Sequence, residues 1–313
     1  MGFYNKIFSV TMGTFFIFII LLSSLNNVFA QPDNPFNVAA VGDISCNKNG
    51  KQTISSIENN HPNLVLFLGD LAYDNSLECF FDQTQVLENN ETGNTVLVTI
   101  GNHDIDNGDG NKETKKQHMM HYNIPSAGYY SKIFDYDGSK ILIVAMNFTG
   151  LEEQQERNKV KNSLENEQYN FVKDQLENSK ATYKIVVSHA PFVSAECNSL
   201  LKLFRITPCH NPLEKWDNDL FTKYHTLFKN TKVDLVLSGH NHNYQREEKD
   251  GITYIISGLG GKSQYKLMDE NDTHFANTYG FLQLMFYPEF VKGKFISNDL
   301  ESKSRDNFTI KAN

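Results

Sequence analysis

Three observations predict an α/β fold, a mixed β-sheet with covering helices. Short apolar runs alternate with helical patterns early in the chain, a tight Asp137-Gly138 turn joins two later runs, and five polar clusters each follow the end of an apolar run. Alternation of strand and helix implies a parallel sheet. A two-residue Asp-Gly turn implies an antiparallel hairpin within it.

The expected strands are residues 36–41, 64–68, 95–100, 129–136, 141–147, 183–188, 233–238, 252–257 and 281–287, all rich in branched and aromatic residues. Leu164, Phe171, Val172 and Leu176 trace one side of a helix over about 164–178, and a second helix is expected over about 216–228, with Trp216 in the core. Residues 105–128, 190–211 and the polar tail from Asp299 read as loops.

The first thirty residues stand apart. Lys6 precedes an almost wholly apolar run from Val10 to Leu25, and Val28 and Ala30 supply the small residues of a cleavage site, so 1–30 reads as a signal peptide. The run is short for a membrane span, which needs about 20 residues. An uncleaved anchor is the competing reading. The expectation is a secreted or extracytoplasmic protein without stable membrane insertion. Residues 31–313 then form one domain, with a core over about 36–298 and a polar tail over 299–313.

A formal net charge of −8 argues against nucleic-acid binding driven by phosphate attraction. The four cysteines include no Cys-x-x-Cys pair, which disfavours a zinc knot, and outside the cytoplasm they suggest disulfides. Three pairings exist; Cys46–Cys79 and Cys197–Cys209 are favoured. Sequons begin at Asn90, Asn147, Asn271 and Asn307, so a glycoprotein is expected where the host uses them.

The chemistry lies in the polar clusters: Gly42-Asp43, Gly69-Asp70-Leu71-Ala72-Tyr73, Gly101-Asn102-His103-Asp104, Ser188-His189 and Gly239-His240-Asn241-His242. In open α/β sheets ligands bind at the C-terminal ends of strands. Carboxylate, imidazole, amide oxygen and phenolate together suit iron, zinc or manganese. Each cluster alone is ordinarily a turn, a helix cap or a hydrogen-bonded structural histidine; the five in order carry the signal.

That order, Gly-Asp, Gly-Asp-x-x-Tyr, Gly-Asn-His-Asp, Val-x-Ser-His and Gly-His-x-His, resembles the calcineurin-like metallophosphoesterase superfamily. Tyr73 further resembles its purple acid phosphatase branch, in the small single-domain form. The resemblance covers about 36–287. It implies a four-layer α-β-β-α sandwich with two mixed sheets flanked by helices. It also implies a hydrolase cleaving phosphate monoesters with water activated between two metal ions. Asp43, Tyr73 and His242 would hold Fe(III), and Asn102, His189 and His240 a divalent Fe, Zn or Mn, with Asp70 bridging. His103 would face the phosphate and Asp104 would orient it. The partner is then a small phosphorylated substrate; oligomeric state stays open.

Two departures stand out. Ser45 replaces a usual Gly, and Asn198 and Ser199 occupy the place of further histidines, leaving His210 as a substitute from the same loop. A phosphodiesterase or nucleotide hydrolase with the same centre, and a non-catalytic metal-bound binding protein, are the alternatives. Gly258-Leu259-Gly260-Gly261-Lys262-Ser263 fails the P-loop template at Ile256 and the dinucleotide fingerprint at Ser263. Asp104 to Asn111 matches no EF-hand register. His118 and His121 read as a solvated or packing pair.

Overall fold

A computed structural model describes residues 34–71, 73, 77–88, 95–104, 117, 119–148, 158–195, 211–299 and 304–312, with side chains in the helix that begins at 158 described from 165 onward. Two β-sheets face each other. Strands β1 (Phe36–Val41), β2 (Leu64–Phe67) and β3 (Thr95–Val98) run parallel, with helices α1 (Lys48–Asn59) and α2 (Leu77–Thr84) between them. The second sheet is built on β5 (Ser139–Ala145), β6 (Tyr183–Ser188), β7 (Leu235–Ser238) and β9 (Ile252–Ser257), also mutually parallel. Its hairpin partners are β4 (Tyr130–Tyr136) and β8 (Tyr244–Lys249). Helices α3 (Asn158–Asn178), α4 (Leu213–Trp216) and α5 (Asn218–Asn230) accompany it. The six strands of the first sheet lie in the order β13-β12-β11-β1-β2-β3, and the seven of the second in the order β10-β8-β9-β7-β6-β5-β4, with β10 at His274–Phe275, β11 at Gly280–Phe286, β12 at Phe290–Ser297 and β13 at Arg305–Lys311.

Central parallel strands bury both faces and so read as unbroken apolar runs. Alternate residues divide between three cores. Val38, Ala40, Leu64 and Leu66 meet Ile143, Ile185, Leu235 and Ile255 between the sheets. Ala39, Val41, Val65 and Phe67 turn outward to Ile54 and Ile57 of α1 and Phe80 of α2. Val144, Val186 and Val236 turn the other way, to Val172 of α3 and Tyr224 and Phe228 of α5. This is the expected α-β-β-α sandwich.

The elements depart from expectation in instructive ways. The tail from Asp299 is not a loop throughout: β13 pairs antiparallel with β12. Asp306 fastens it to the opposite sheet, accepting from the Tyr244 hydroxyl at 2.7 Å and from two nitrogens of Arg246 at 2.9 Å. Strand β8 carries no strand signal in the sequence, because Tyr-Gln-Arg-Glu-Glu-Lys is too charged to read as one. Its Asp250-Gly251 turn nevertheless has positive φ at both residues, 53° and 80°, like Asp137-Gly138 at 46° and 78°. The helix expected over 216–228 breaks at Asp217, whose side chain caps α5 by accepting from Leu220 N at 3.0 Å. Trp216 packs against the helix-side core as expected. His121 stacks on Phe81 and pairs with Glu88 at 2.8 Å; His118 lies outside the described residues.

Cys46–Cys79 is a disulfide; Cys197–Cys209 lies outside the described residues. The bridge ties the loop after β1 to α2 and closes 33 residues, which should restrict the unfolded chain by about 4 kcal/mol. A Cys46→Ala, Cys79→Ala protein should melt roughly 10 °C lower. An unchanged melting temperature under non-reducing conditions would show that packing alone holds these segments.

Candidate metal centre

Strand register decides where the polar loops emerge. Val41 pairs with Phe67, which pairs with Val98, and Ser188 pairs with Ser238, so the loops of each sheet leave at one level. One backbone bond joins the sheets at this edge, Gly42 N donating to Ser257 O at 2.8 Å, and another, Gly239 N to His189 O at 3.1 Å, ties two loops of the second sheet. The chain turns with unusual backbone angles. Asp43, Asp70 and His240 have φ of 62°, 55° and 70°. Such left-handed conformations cost on the order of 1–3 kcal/mol each and gather at functional sites. Gly69 (φ 84°) permits a close approach, since a Cβ there would lie 2.6 Å from His189 Nδ1.

All nine predicted site residues lie at this edge. On one side the Tyr73 hydroxyl is 2.7 Å from Asp43 Oδ1, Asp70 Oδ2 and His242 Nε2. On the other, His189 Nε2 is 3.2 Å from Asn102 Oδ1, 3.3 Å from Asp70 Oδ1 and 3.1 Å from His240 Nδ1. Asp70, His189 and His240 each offer a ligand atom within 4.8 Å of the others. Asp70 belongs to both groups. Its two carboxylate oxygens face opposite clusters, as a bridging ligand requires.

Neighbouring groups orient these donors. His189 Nδ1 donates to Leu68 O at 2.7 Å, so Nε2 is the nitrogen that could face a cation. Asp43 Oδ2 accepts from His240 N at 2.9 Å. His103 is exposed, its N–H donates to Asp70 Oδ1 at 2.9 Å, and its ring lies 4.6 Å from that of Tyr73. Asp104 is fully buried. Its Oδ2 accepts from Asp70 N at 2.9 Å and Gly101 N at 2.7 Å, and its Oδ1 from Leu71 N at 2.8 Å. The sequence points to Asp104 as an orienter of His103; its carboxylate also braces the backbone carrying Asp70.

The donor set fits cations. A phenol has one proton and cannot satisfy two acceptor-only carboxylates at 2.7 Å together. Burial, then Asp43 and Asp70, pushes the Tyr73 pKa far above its ordinary value. Burial disfavours charge on His189, yet Asp70 and Asp43 raise it to about 10. Burial likewise opposes ionisation of Asp70, but His189, with His103 and His240, outweighs it and holds that carboxyl well below the usual range. Burial and the charge of Asp70 lift Asp104 to about 7 against its backbone donors. Tyr73 and His189 thus hold protons that cations would displace. Asp43, Tyr73, His242 and Asp70 would hold one, and Asn102, His189, His240 and Asp70 the other. His210 lies outside the described residues.

A family model described as Calcineurin-like phosphoesterase matches residues 36–244. Among relatives, the chain is 26% identical over 247 residues to Fe(3+)-Zn(2+) purple acid phosphatase 12 of Arabidopsis thaliana, covering 73% of this chain and 47% of that protein. It is 24% identical to purple acid phosphatase 1 of Ipomoea batatas, covering 72% and 46%. The chain thus spans about half the length of these plant proteins. Among solved structures, purple acid phosphatase PPD1 from yellow lupin superposes with a TM-score of 0.64 at 20% identity, covering 90% of this chain and 55% of that one. GAP50, the anchor in the inner membrane complex of Plasmodium, superposes with a TM-score of 0.67 at 16% identity, covering 90% of both. At these identities the structural likenesses show the fold alone.

Proposed function

Because the chain belongs to the calcineurin-like phosphoesterase family, we propose that this phosphoric ester hydrolase cleaves phosphate monoesters at a binuclear metal centre, in the manner of an acid phosphatase. The observation that carries the reading is the placing of Asp70 between two donor clusters, one containing a phenol. Two bound cations would supply Lewis-acid polarisation of a phosphoryl oxygen and lower the pKa of water, making hydroxide available near neutral pH. Fe(III) is assigned to the Tyr73 cluster, because a phenolate is a strong, charged donor that favours a trivalent ion. A divalent Fe, Zn or Mn is assigned to the Asn102 cluster, whose neutral amide and imidazole donors match a lower charge.

The chain's own residues do the rest. Asp43, Asp70 and Tyr73 hold negative charge that keeps the cations together. His103 stands on the open side of the site with its backbone tied to Asp70, so its imidazole can meet the phosphoryl group and give a proton to the departing oxygen. Asp104 fixes the loop that carries Asp70. Residues 1–30 are assigned as a cleaved signal and 31–313 as one secreted catalytic domain. Among the described residues no helix is long and apolar enough to cross a membrane.

Absorption spectroscopy tests the assignment. The purified protein should show a visible phenolate-to-iron charge-transfer band that disappears in Tyr73→Phe, with a loss of bound iron by metal analysis. A colourless wild-type protein that carries two divalent metals and hydrolyses p-nitrophenyl phosphate would remove ferric iron from the reading.

A further inference from the structure

The segment from Gly258 to Tyr265, which fails both nucleotide-loop templates, lies along the Tyr73 side of the centre. Its backbone is fastened to the ligand loops: Gly260 N donates to Gly42 O at 3.2 Å, Lys262 N to Asp43 O at 3.2 Å and Tyr265 N to His242 O at 2.9 Å. Asn47 Nδ2 donates to Gly261 O at 2.8 Å. The side chains follow suit. Ser263 Oγ lies 3.2 Å from His242 Nδ1, and the Tyr265 ring stacks on that of His242 with centroids 4.1 Å apart. Lys262, half-buried, places its ammonium 4.3 Å from the centroid of the Tyr73 ring. The same ring lies 4.6 Å from His103. An ammonium and the imidazole of His103 therefore both approach one phenol, whose hydroxyl meets Asp43 and Asp70.

We propose that Lys262 is a substrate-binding residue, whose ammonium receives phosphoryl oxygens and favours the dianionic group of a phosphate monoester over the monoanionic group of a diester. The proposal rests on the hydrolase reading above and adds a determinant of its substrate class. The physical reason is charge: attraction to a fixed cation scales with the charge of the ligand, so a dianion gains about twice what a monoanion gains in the same place. Lysine suits this role as a point charge that does not demand bidentate geometry. Its backbone bond to Asp43 keeps it in register with the metal ligands. Partial exposure keeps the effect modest.

The test compares wild type, Lys262→Met and Lys262→Arg as metal-loaded proteins at constant ionic strength. Inorganic phosphate binding is measured by calorimetry, and hydrolysis with p-nitrophenyl phosphate and bis(p-nitrophenyl) phosphate. For Lys262→Met, the phosphate Kd and the monoester KM should each rise about tenfold, with kcat and the diester KM within about threefold of wild type. Lys262→Arg should stay within about threefold throughout. Unchanged phosphate binding, equal weakening toward both esters, loss of metal in Lys262→Met, or failure of arginine to restore binding would each overturn the proposal. If phosphate binding depends on Lys262 but neither ester is hydrolysed, the hydrolase reading fails and the assignment of Lys262 as an anion-binding residue stands.

Discussion

Asp70→Asn should lower kcat/KM for p-nitrophenyl phosphate by at least about 10³-fold and leave fewer than two metal ions per chain, because a bridging charge contributes several kcal/mol to such a centre. Asp70 offers one carboxylate oxygen to the side chains of each cluster, with Oδ2 at 2.7 Å from the Tyr73 hydroxyl and Oδ1 at 3.3 Å from His189 Nε2. Asparagine keeps the size and tolerates the left-handed backbone at this position, φ 55°. It replaces one oxygen with an amide that donates, and it removes the negative charge. The variant should therefore fold and still fail. Metal analysis and melting temperature, measured on the same sample, separate the two effects. Retention of two metals with wild-type turnover would take Asp70 out of the bridge and leave the centre without its organising ligand.

Asp104→Ala should cost on the order of 4 kcal/mol in stability, from the loss of one acceptor shared by three buried backbone N–H groups. Those donors belong to Asp70, Leu71 and Gly101, in loops that follow two different strands. Asp70, Leu71 and Asp104 are each about 1% exposed, so bulk solvent does not reach these donors. Asp104→Asn should cost less, about 1–2 kcal/mol, since its carbonyl can still accept from Asp70 and Gly101 while its amide opposes the Leu71 N–H. Thermal melts of both variants, with metal removed by chelator, check the order. Equal stability of Asp104→Ala and wild type would mean that the strand register, rather than this brace, holds the two loops together.

Much of this was legible in the sequence for a local reason. A polar residue placed directly after an apolar run shows both the strand and its ligand-bearing end. That is why Asp43, Asp70, Tyr73, Asn102, His103, His189, His240 and His242, which the structure gathers at one edge, stand out as candidates from their neighbours. The two halves of the fold were legible through the same runs, whose alternate residues feed the inter-sheet and helix-side cores. The Cys46–Cys79 pairing was legible because both cysteines follow motif loops.

Other features depended on contacts between distant segments. Strands β8 and β13 carry mostly polar side chains because they lie near sheet edges, and their pairing with β9 and β12 is what makes them strands. The role of Asp104 depends on Gly101 and Asp70 lying side by side, a proximity set by the register of β2 against β3. Lys262 reads in sequence as part of a failed nucleotide loop; only the backbone bonds to Gly42, Asp43 and His242 bring it to Tyr73. The sequence by itself determined the chemistry of the donors and the strand ends that carry them, because both are written in adjacent residues. The tertiary structure alone decided which backbone each side chain braces and which ammonium reaches Tyr73, because those contacts join residues far apart in the chain.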